Sequence, residues 1–572
     1  MISAVVKTPW IKNLGEVPAT LDYQKGSMFD AVEAISLKYP DYVACDFMGR
    51  HIRYSDIVKQ IDQCARALVA TGVKPGDRVT ICMPNAPQTV IMFYAVNMMG
   101  GIANMIHPLS GEKEIEFYLN DSKSVACITL DQFYSKLEAI RHDTPELKNL
   151  ILTSVADGMT GIMKIGYKLT EGRKVKPVPK DADVIWWKDF LAKGNGVSGE
   201  YRQKRVAGDP AVILYSGGTT GTTKGILLSN LNFNALGAQI VATNPMFKPG
   251  DKMLSVMPMF HGFGLGVCIH SMMMNAGRCI LIPRFTADSY AGLLKKFKPN
   301  FIAGVPTLYE ALLRLPGLED LDLSCLKGAF SGGDSLTIEL KKRFDAFLKD
   351  HKATIQLREG YGTTECVTAS CLTPPHMSRE GSIGLPFPDT YYKIVKVGTQ
   401  QEVPYNVEGE ICLSGPTVMM EYVNQPEETA QTLKTHADGL TWVHTGDLGT
   451  MDEDGFVYFR QRIKRMIVTS GYNVYPSRIE NILDAHEKVH MSCVIGVKDS
   501  YKMQKVKAFI MLKPGVPKTD EVKQELLEYC KKNVAKYAVP YDIEFRDQLP
   551  KTLVGKVAYR KLEEEEYEKQ AS

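Results

Sequence analysis

Along most of this chain, short apolar runs alternate with longer segments whose apolar side chains recur every three or four positions, the pattern of buried strands separated by amphipathic helices. Ser27 can cap a helix reaching Lys38, and Tyr42 to Phe47 with His51 to Tyr54 form a hairpin pattern about Met48, Gly49 and Arg50. Ile57, Ile61, Cys64, Ala65 and Leu68 mark one face of a helix over Ser55 to Thr71, with Gly72 placed to end it. A strand over Arg78 to Met83, a helix from Pro87 to Met99 and a strand over Ile102 to Ile106 follow, and the alternation holds to Leu130. It resumes with a strand at Lys252 to Met257, a Met-rich helix at Gly264 to Met274, and helices interleaved with strands at Arg278 to Ile282, Phe301 to Gly304 and Leu326 to Phe330. This rhythm predicts an α/β fold with doubly wound, largely parallel sheets. Short β-type runs from Tyr391 to Leu413 predict a smaller β-rich subdomain. Beyond Met466, β-like runs at Met491 to Val497 and Val506 to Leu512, with helices over Ser477 to Ala485 and Thr519 to Asn533, predict a compact α+β domain of about a hundred residues.

The sharpest interruption lies between Ile213 and Ser229, ILYSGGTTGTTKGILLS. An apolar strand, Ala211 to Leu214, breaks into Ser216, Gly217, Gly218, Thr219, Thr220, Gly221, Thr222, Thr223, Lys224 and Gly225 before the chain turns apolar again at Ile226 to Leu228. Glycines let backbone N–H groups face an anion without a Cβ in the way, threonines add hydroxyl donors, and the lysine adds a mobile positive charge. The loop therefore suits a polyphosphate. A Walker A loop needs G-x-x-x-x-G-K-[ST] leading into a helix; here Lys224 stands three residues after Gly221 and is followed by Gly225. That argues against a P-loop NTPase, while a solvated Gly/Thr turn is the plain alternative for the loop taken alone.

At 572 residues, two or more domains are expected. A hydrophobic content of 44% and a charged content of 23% are ordinary for a globular protein, and a net charge of +3 is too mild for a nucleic-acid binder. Twelve cysteines stand singly, with no C-x-x-C pair, which fits reduced thiols in a cytoplasmic protein better than disulfides or a zinc site. The start, MISAVVKTPWIKNLGE, lacks the apolar core of a signal peptide, and the apolar runs Val90 to Ile106 and Leu265 to Ile282 are broken by Asn97, Gly100, Gly101, Asn104, His270, Asn275 and Arg278. No membrane span is expected. Met163 to Lys180, however, carries Lys164, Lys168, Arg173, Lys174, Lys176 and Lys180 against Glu171 alone. A solvated linker and a weak peripheral contact with an anionic membrane surface are both open readings.

Two further glycine-rich segments follow strand patterns: Ser331, Gly332, Gly333, Asp334, and then Glu359, Gly360, Tyr361, Gly362, Thr363, Thr364, Glu365. Loops at the carboxyl ends of such strands are where doubly wound sheets bind ligands. A flat base fits against glycine backbone and a tyrosine ring, and a glutamate offers hard oxygen to Mg²⁺. His444, Thr445, Gly446 and Asp447 add a carboxylate suited to ribose hydroxyls.

Together these segments resemble the adenylate-forming superfamily of acyl-CoA synthetases, luciferases and peptide-synthetase adenylation domains, from about Ser27 to Leu562. The matching motifs, in order, are YSGGTTGTTKG, MPMFHGFG (Met257 to Gly264), GYGTTE (Gly360 to Glu365), GEICLSG (Gly409 to Gly415), HTGD (His444 to Asp447), RIKRMIVTSGYNVYP (Arg462 to Pro476) and LPKTLVGK (Leu549 to Lys556). The resemblance implies that the loop from Ser216 to Lys224 holds the β and γ phosphates of ATP, chiefly through Thr219, Thr220 and Lys224, with Thr220 and Glu365 on Mg²⁺. It implies that Tyr361 and the Gly332-Gly333 backbone flank adenine, that Asp334, Gly360, Gly362, Thr363 and Thr364 also belong to the nucleotide site, and that Asp447 and Arg462 bind the ribose. Lys464 takes the hinge position, dividing an ATP- and acyl-binding domain over residues 1–462 from a mobile lid over residues 463–572 that carries the catalytic Lys556. After adenylation the lid would rotate and present Ser470, Gly471 and Tyr472 to coenzyme A, with His261 lining the thiol and acyl path.

The departures are Gly217-Gly218 and Thr222-Thr223 in the phosphate loop, Gln461 where a glycine is common, and Arg465 where an acid is common. Met246, Met253, Met257, Met259 and Met272 to Met274, with Phe260, Phe263 and Leu265, offer an adaptable apolar lining, although a methionine stripe is more often plain core. GVPTLYEALL, Gly304 to Leu313, resembles the fatty-acyl branch. The expected activity is an ATP-dependent acyl-CoA synthetase for a medium- or long-chain fatty acid. An aryl acid, or a carrier-protein thiol as acceptor, is the alternative.

Overall fold

In the computed structural model, which describes residues 6–216, 223–469, 472–499, 502–552 and 555–571, the alternating pattern folds into two large mixed sheets. The eight-stranded sheet runs in the order Glu421–Tyr422, Gly225–Ser229, Pro210–Tyr215, Ile102–Met105, Arg78–Cys82, Ala126–Leu130, Asn149–Thr153, Ile185–Trp186. From Pro210–Tyr215 onward its strands are parallel. The expected parallel sheet thus ends in an antiparallel edge, because the phosphate-loop candidate turns Pro210–Tyr215 back into Gly225–Ser229 as a hairpin.

The nine-stranded sheet is ordered Leu385–Pro386, Cys371–Leu372, Leu357–Tyr361, Gly328–Ser331, Phe301–Gly304, Lys252–Ser255, Arg278–Leu281, Val43–Phe47, Arg50–Arg53. Its six central strands are parallel. The second and third glycine-rich segments therefore leave adjacent strands at the same sheet end.

Apolar helices join the sheets. Pro87–Met98 is buried on every side, as a helix hydrophobic all round must be. Its Tyr94 hydroxyl meets His270 Nδ1 at 3.0 Å, while His270 Nε2 meets Asn234 Oδ1 of the helix Asn230–Ala242 at 3.0 Å. Burial pushes the His270 imidazole down to about 3, so this buried residue is a neutral tie between layers.

The helix expected over Gly264 to Met274 is instead a π-helix, Phe263–His270, followed by one α-turn, Ser271–Met273. Its width goes with close backbone packing: a Cβ on Gly264 would lie 2.0 Å from the Pro258 carbonyl oxygen, and one on Gly266 would lie 2.8 Å from Leu236 Cδ2. π-Helical turns are rare and concentrate at functional sites.

The β-rich subdomain is a five-stranded antiparallel sheet in which Thr441–Met451 pairs with Gly409–Ser414, Leu433–Thr435 and Val457–Arg462. After a short turn, Ile463–Arg465, a separate sheet begins at Ile467–Thr469 and is completed by Tyr472–Val474, Val489–Asp499, Met503–Leu512 and Asp542–Phe545. It has its own apolar core around Ile479, Leu483, Val494, Ala508 and Leu526. Among the described residues, no helix is long and apolar enough to cross a membrane. The twelve cysteines are free, and all but Cys325 are buried.

Candidate active site

Tyr361 ends one strand of the nine-stranded sheet, and Asp447 and Arg462 are register partners in the β-rich subdomain. The Tyr361 phenol donates to Asp447 Oδ2 at 2.6 Å, and Arg462 Nε lies 3.4 Å from Asp447 Oδ1. Burial raises the Asp447 carboxyl above its usual range, while Arg462 pulls it back. Burial, then the neighbouring Asp447 charge, holds the Tyr361 phenol well above its usual range and therefore protonated. Asp447 Oδ1 is buried and accepts no hydrogen bond. Such an oxygen wants a donor, and a vicinal diol supplies one.

On the other side of Tyr361, the short turn Thr364–Cys366 presents Glu365. Glu365 Oε1 accepts from the Tyr422 hydroxyl at 2.7 Å, and the Tyr422 ring centroid lies 4.7 Å from Lys224 Nζ. The same ammonium is ion-paired with Glu428, whose carboxyl Lys224 and, more weakly, Lys464 hold below the usual range. The backbone braces the group. Met419 N–H donates to the Glu365 carbonyl and Val423 N–H to the Gly225 carbonyl, each at 2.8 Å, while Ser216 N–H donates to the Lys224 carbonyl at 3.1 Å. Ser216, Thr223 and Lys224 thus frame the base of the phosphate-loop candidate; Gly217, Gly218, Thr219, Thr220, Gly221 and Thr222 lie outside the described residues.

Lys556 arrives from the C-terminal segment. Gly333 has φ +82°, and a Cβ there would lie 3.4 Å from Lys556 Cε and 3.9 Å from its Nζ. Thr307 Oγ1 fixes the approach by donating to the Gly555 carbonyl at 2.8 Å. Burial lowers the Lys556 pKa, Asp334 and Asp447 oppose that shift, and Arg462 adds to it. His261 faces the same charge: burial, then Lys556, pushes it down to about 3. Its Nδ1 accepts from Phe263 N–H at 3.2 Å, which leaves the neutral ring with its proton on Nε2.

Between these groups and the π-helix opens an apolar cleft of about 430 Å³, mouth included, with Gly332, Gly333 and Gly360 at one end and Phe263, Val267 and Ile240 along its wall. Thr368, Ala369, Leu372 and Phe387 also line it. Val367 (φ +54°) and Thr368 (φ +81°) are both left-handed, an uncommon state for β-branched residues, and Thr368 Oγ1 is buried with no hydrogen-bond partner. Of the apolar residues expected as lining, only Phe263 reaches the cleft. Met253, Met257, Met259, Met272 and Met273 are core, and Met246 is 46% exposed. Thioether side chains fill gaps between the helices there, and the glycine-bearing π-helix makes the wall.

The sequence matches a family model for AMP-binding enzymes over residues 32–423 and one for the AMP-binding enzyme C-terminal domain over residues 478–556. The chain belongs to the AMP-binding enzyme family. It is 36% identical to a long-chain-fatty-acid–CoA ligase of Bacillus subtilis over 98% of each chain, and 33% identical to one of Yersinia pestis over 97% of this chain and 98% of that one. Among solved structures it resembles ATP-bound MatB from Rhodopseudomonas palustris (TM-score 0.81, 26% identity, 95% of this chain and 99% of that one). An anthranilate CoA ligase in complex with anthranoyl-AMP shares the fold (TM-score 0.83, 24% identity, 98% of this chain and 100% of that one).

In this AMP-binding enzyme, several expected residues gather at one place: Gly332, Gly333, Asp334, Gly360, Tyr361, Glu365, Asp447, Arg462 and Lys556. Gly362, Thr363 and Thr364 form the turn beneath them, and a Cβ on Gly362 would lie 2.4 Å from the Thr368 carbonyl oxygen. Others stand apart. Tyr472 is 55% exposed and stacks on Tyr537 with ring centroids 4.4 Å apart, away from the cleft; Ser470 and Gly471 lie outside the described residues. Lys464 is exposed in the Ile463–Arg465 turn. Tyr422, Glu428 and Thr368 were not singled out in the sequence, and only an acid-rich helix start, Pro426-Glu427-Glu428, gave Glu428 any signal.

Proposed function

We propose that this enzyme is an ATP-dependent acyl-CoA synthetase acting on medium- or long-chain fatty acids. The substrate carboxylate attacks the α-phosphorus of ATP and pyrophosphate leaves; the thiol of coenzyme A then attacks the acyl-adenylate carbonyl, forming the thioester and releasing AMP. The observation that carries this reading is the seat of Lys556 against Gly333, beside Asp447 and Arg462 and next to the glycine-lined end of an apolar cleft. An acid whose tail fills that cleft brings its carboxylate to the end where the lysine stands.

On this reading Asp447, whose Oδ1 is ion-paired with Arg462 but accepts no hydrogen bond, and Arg462 bind the ribose, Tyr361 holds Asp447 in place, and the glycines flank adenine. Lys224 and the threonines of its loop take the β and γ phosphates. Glu365 would hold Mg²⁺, which supplies charge neutralisation on the phosphates; a single carboxylate plus phosphate oxygens is the usual protein share of such a site. Lys556 offers its ammonium to the charge that builds on the α-phosphate, a preorganised donor of the kind whose removal costs on the order of a hundredfold to a thousandfold in rate. The neutral His261 acts by shape and by its Nε2–H along the acyl path.

The thioester step requires a second arrangement. We place its pivot at Lys464, between residues 1–462 and 463–572: Val457–Arg462 stays in the β-rich sheet, while Arg465 is bound to the C-terminal domain through Glu480. Rotation there would withdraw Lys556 and bring the segment at Tyr472 to the cleft.

The test is a product assay with purified protein, ATP, Mg²⁺ and fatty, aryl and short polar acids, with and without coenzyme A. Pyrophosphate, AMP and thioester from acids of medium or long chain are expected. Adenylate without thioester would move the acceptor to a carrier protein, and ADP would refute the reading.

A further inference from the structure

The helix Gly161–Leu169 is the least explained surface of the molecule. Ile162 is 87% exposed, Ile165 62%, Leu169 55% and Met163 46%. At 100° per residue Ile162, Ile165 and Leu169 fall within about 60° of one another, on the face turned away from the protein. The half-buried Lys164 and Tyr167 occupy the opposite face, and Tyr167 packs against the main core. Three large apolar side chains on one face of a nine-residue exposed helix, with Met163 beside them, are a patch, not scattered surface residues.

The rim of this patch is basic. Lys164 is 3.5 Å from Asp157 and Lys174 is 2.5 Å from Glu171, but Lys168, Arg173, Lys176 and Lys180 form no ion pair with the described residues. Lys168 flanks Ile165 on the helix; Arg173 follows in the short turn Glu171–Lys174, and Lys176 and Lys180 in the irregular segment after it. An apolar ridge bordered by unpaired cations complements an anionic bilayer: the ridge enters the acyl boundary while each cation near the surface adds about 1 kcal/mol of attraction.

Its position has a consequence. Asn149–Thr153, which leads to this helix, is parallel to Pro210–Tyr215, which leads to the phosphate loop, so both segments leave the carboxyl end of the eight-stranded sheet. Ala126–Leu130, Arg78–Cys82 and Ile102–Met105 lie between them. At about 4.8 Å per strand the two strand ends are roughly 19 Å apart.

We propose that Gly161–Leu169 is a membrane-docking helix that seats the enzyme on anionic phospholipid bilayers through Ile162, Ile165 and Leu169. Docking does not require the ligase reading. If that reading holds, the helix places the sheet end carrying the active site against the phase in which long-chain acids dissolve.

The experiment is vesicle flotation of the full chain, with phosphatidylglycerol-containing and pure phosphatidylcholine vesicles at low and high salt, beside an adenylation assay with a short water-soluble acid. Wild type is expected to float with anionic vesicles and to be released by salt. Ile162→Ser/Ile165→Ser/Leu169→Ser and, separately, Lys168→Glu/Arg173→Glu/Lys176→Glu should each lose about tenfold or more in vesicle affinity. A control, Leu37→Ser, on an 81%-exposed leucine elsewhere, should bind as wild type. The melting temperature and activity on the soluble acid should be unchanged in all three variants. Failure of wild type to float, or floating of both triple variants like wild type, would overturn the proposal. So would a vesicle-free dimer that the serine variant dissociates, since the face would then belong to a second copy. Vesicle binding without adenylation of any acid would leave the docking helix standing and defeat the ligase reading instead.

Discussion

Tyr361 and Asp447 stand 86 positions apart in the chain, yet the phenol of one donates to the carboxylate of the other at 2.6 Å. This hydrogen bond joins the end of the nine-stranded sheet to the β-rich subdomain and aims a buried acid whose second oxygen faces Arg462 and accepts no hydrogen bond. A hydrogen bond to a charged group contributes about 1.5–3 kcal/mol. Tyr361→Phe keeps the ring and removes the bond, so the KM for ATP should rise by about tenfold or more while kcat changes less, measured as pyrophosphate release. An equal fall in kcat at unchanged KM would mean that the bond does not position the nucleotide.

Lys556 supports a prediction about pH. Burial lowers its pKa, so the ammonium is lost as pH rises through a value below the ordinary lysine pKa of about 10.4. The adenylation rate should therefore fall on the alkaline side. Asp334 counteracts the shift, and Asp334→Asn should move that fall to lower pH. Lys556→Ala should remove the alkaline limb and lower adenylation by about a hundredfold to a thousandfold. Thioester formation from premade acyl-adenylate should keep its rate in Lys556→Ala; a matching loss there would deny the lysine its specific role.

Thr368 combines a left-handed backbone with a buried, unpartnered hydroxyl on the wall of the cleft. Strain of this kind costs about 1–3 kcal/mol and persists where a site needs it. Thr368→Gly should stabilise the protein by about 1 kcal/mol, read by urea melting, and raise the KM for the acid. A variant that gains stability and loses nothing in catalysis would show the strain to be incidental.

Much of the candidate site's geometry was legible because its parts are local: a glycine pair or a GYGTTE turn sits within a dozen residues and follows a strand. The strand and helix rhythm was legible for the same reason. What escaped reading depends on partners far along the chain. Lys224 meets Glu428 across 204 positions, and Tyr422 reaches Glu365 across 57; neither pairing leaves a periodic trace. The π-helix escaped because FGLGVCIH is apolar almost throughout, so no period distinguishes its wider turn from an α-turn. The methionines were ambiguous in principle, since an apolar run is the same whether it faces a ligand or a neighbouring helix.

Arg465, in the short turn after Arg462, makes the last prediction. Its guanidinium pairs with Glu480, donates to the Val494 carbonyl at 3.4 Å and lies 4.8 Å from the Tyr559 ring centroid. All these partners belong to the C-terminal domain. The arginine therefore fastens the turn after Arg462 to the part proposed to rotate, and removing one member of such a mostly buried pair leaves the other charge uncompensated, at about 3 kcal/mol or more. Arg465→Ala should lower the melting temperature and slow thioester formation more than adenylation, because the pivot loses its grip on the domain it turns. Arg465→Met with Glu480→Met removes both charges and should recover most of the stability. Recovery of stability without recovery of the thioester step would locate the function of Arg465 in the pivot, and recovery of both would reduce it to a structural pair. Gln461, four residues earlier, offers the contrast: both atoms of its buried amide lack partners, so Gln461→Leu should cost no stability.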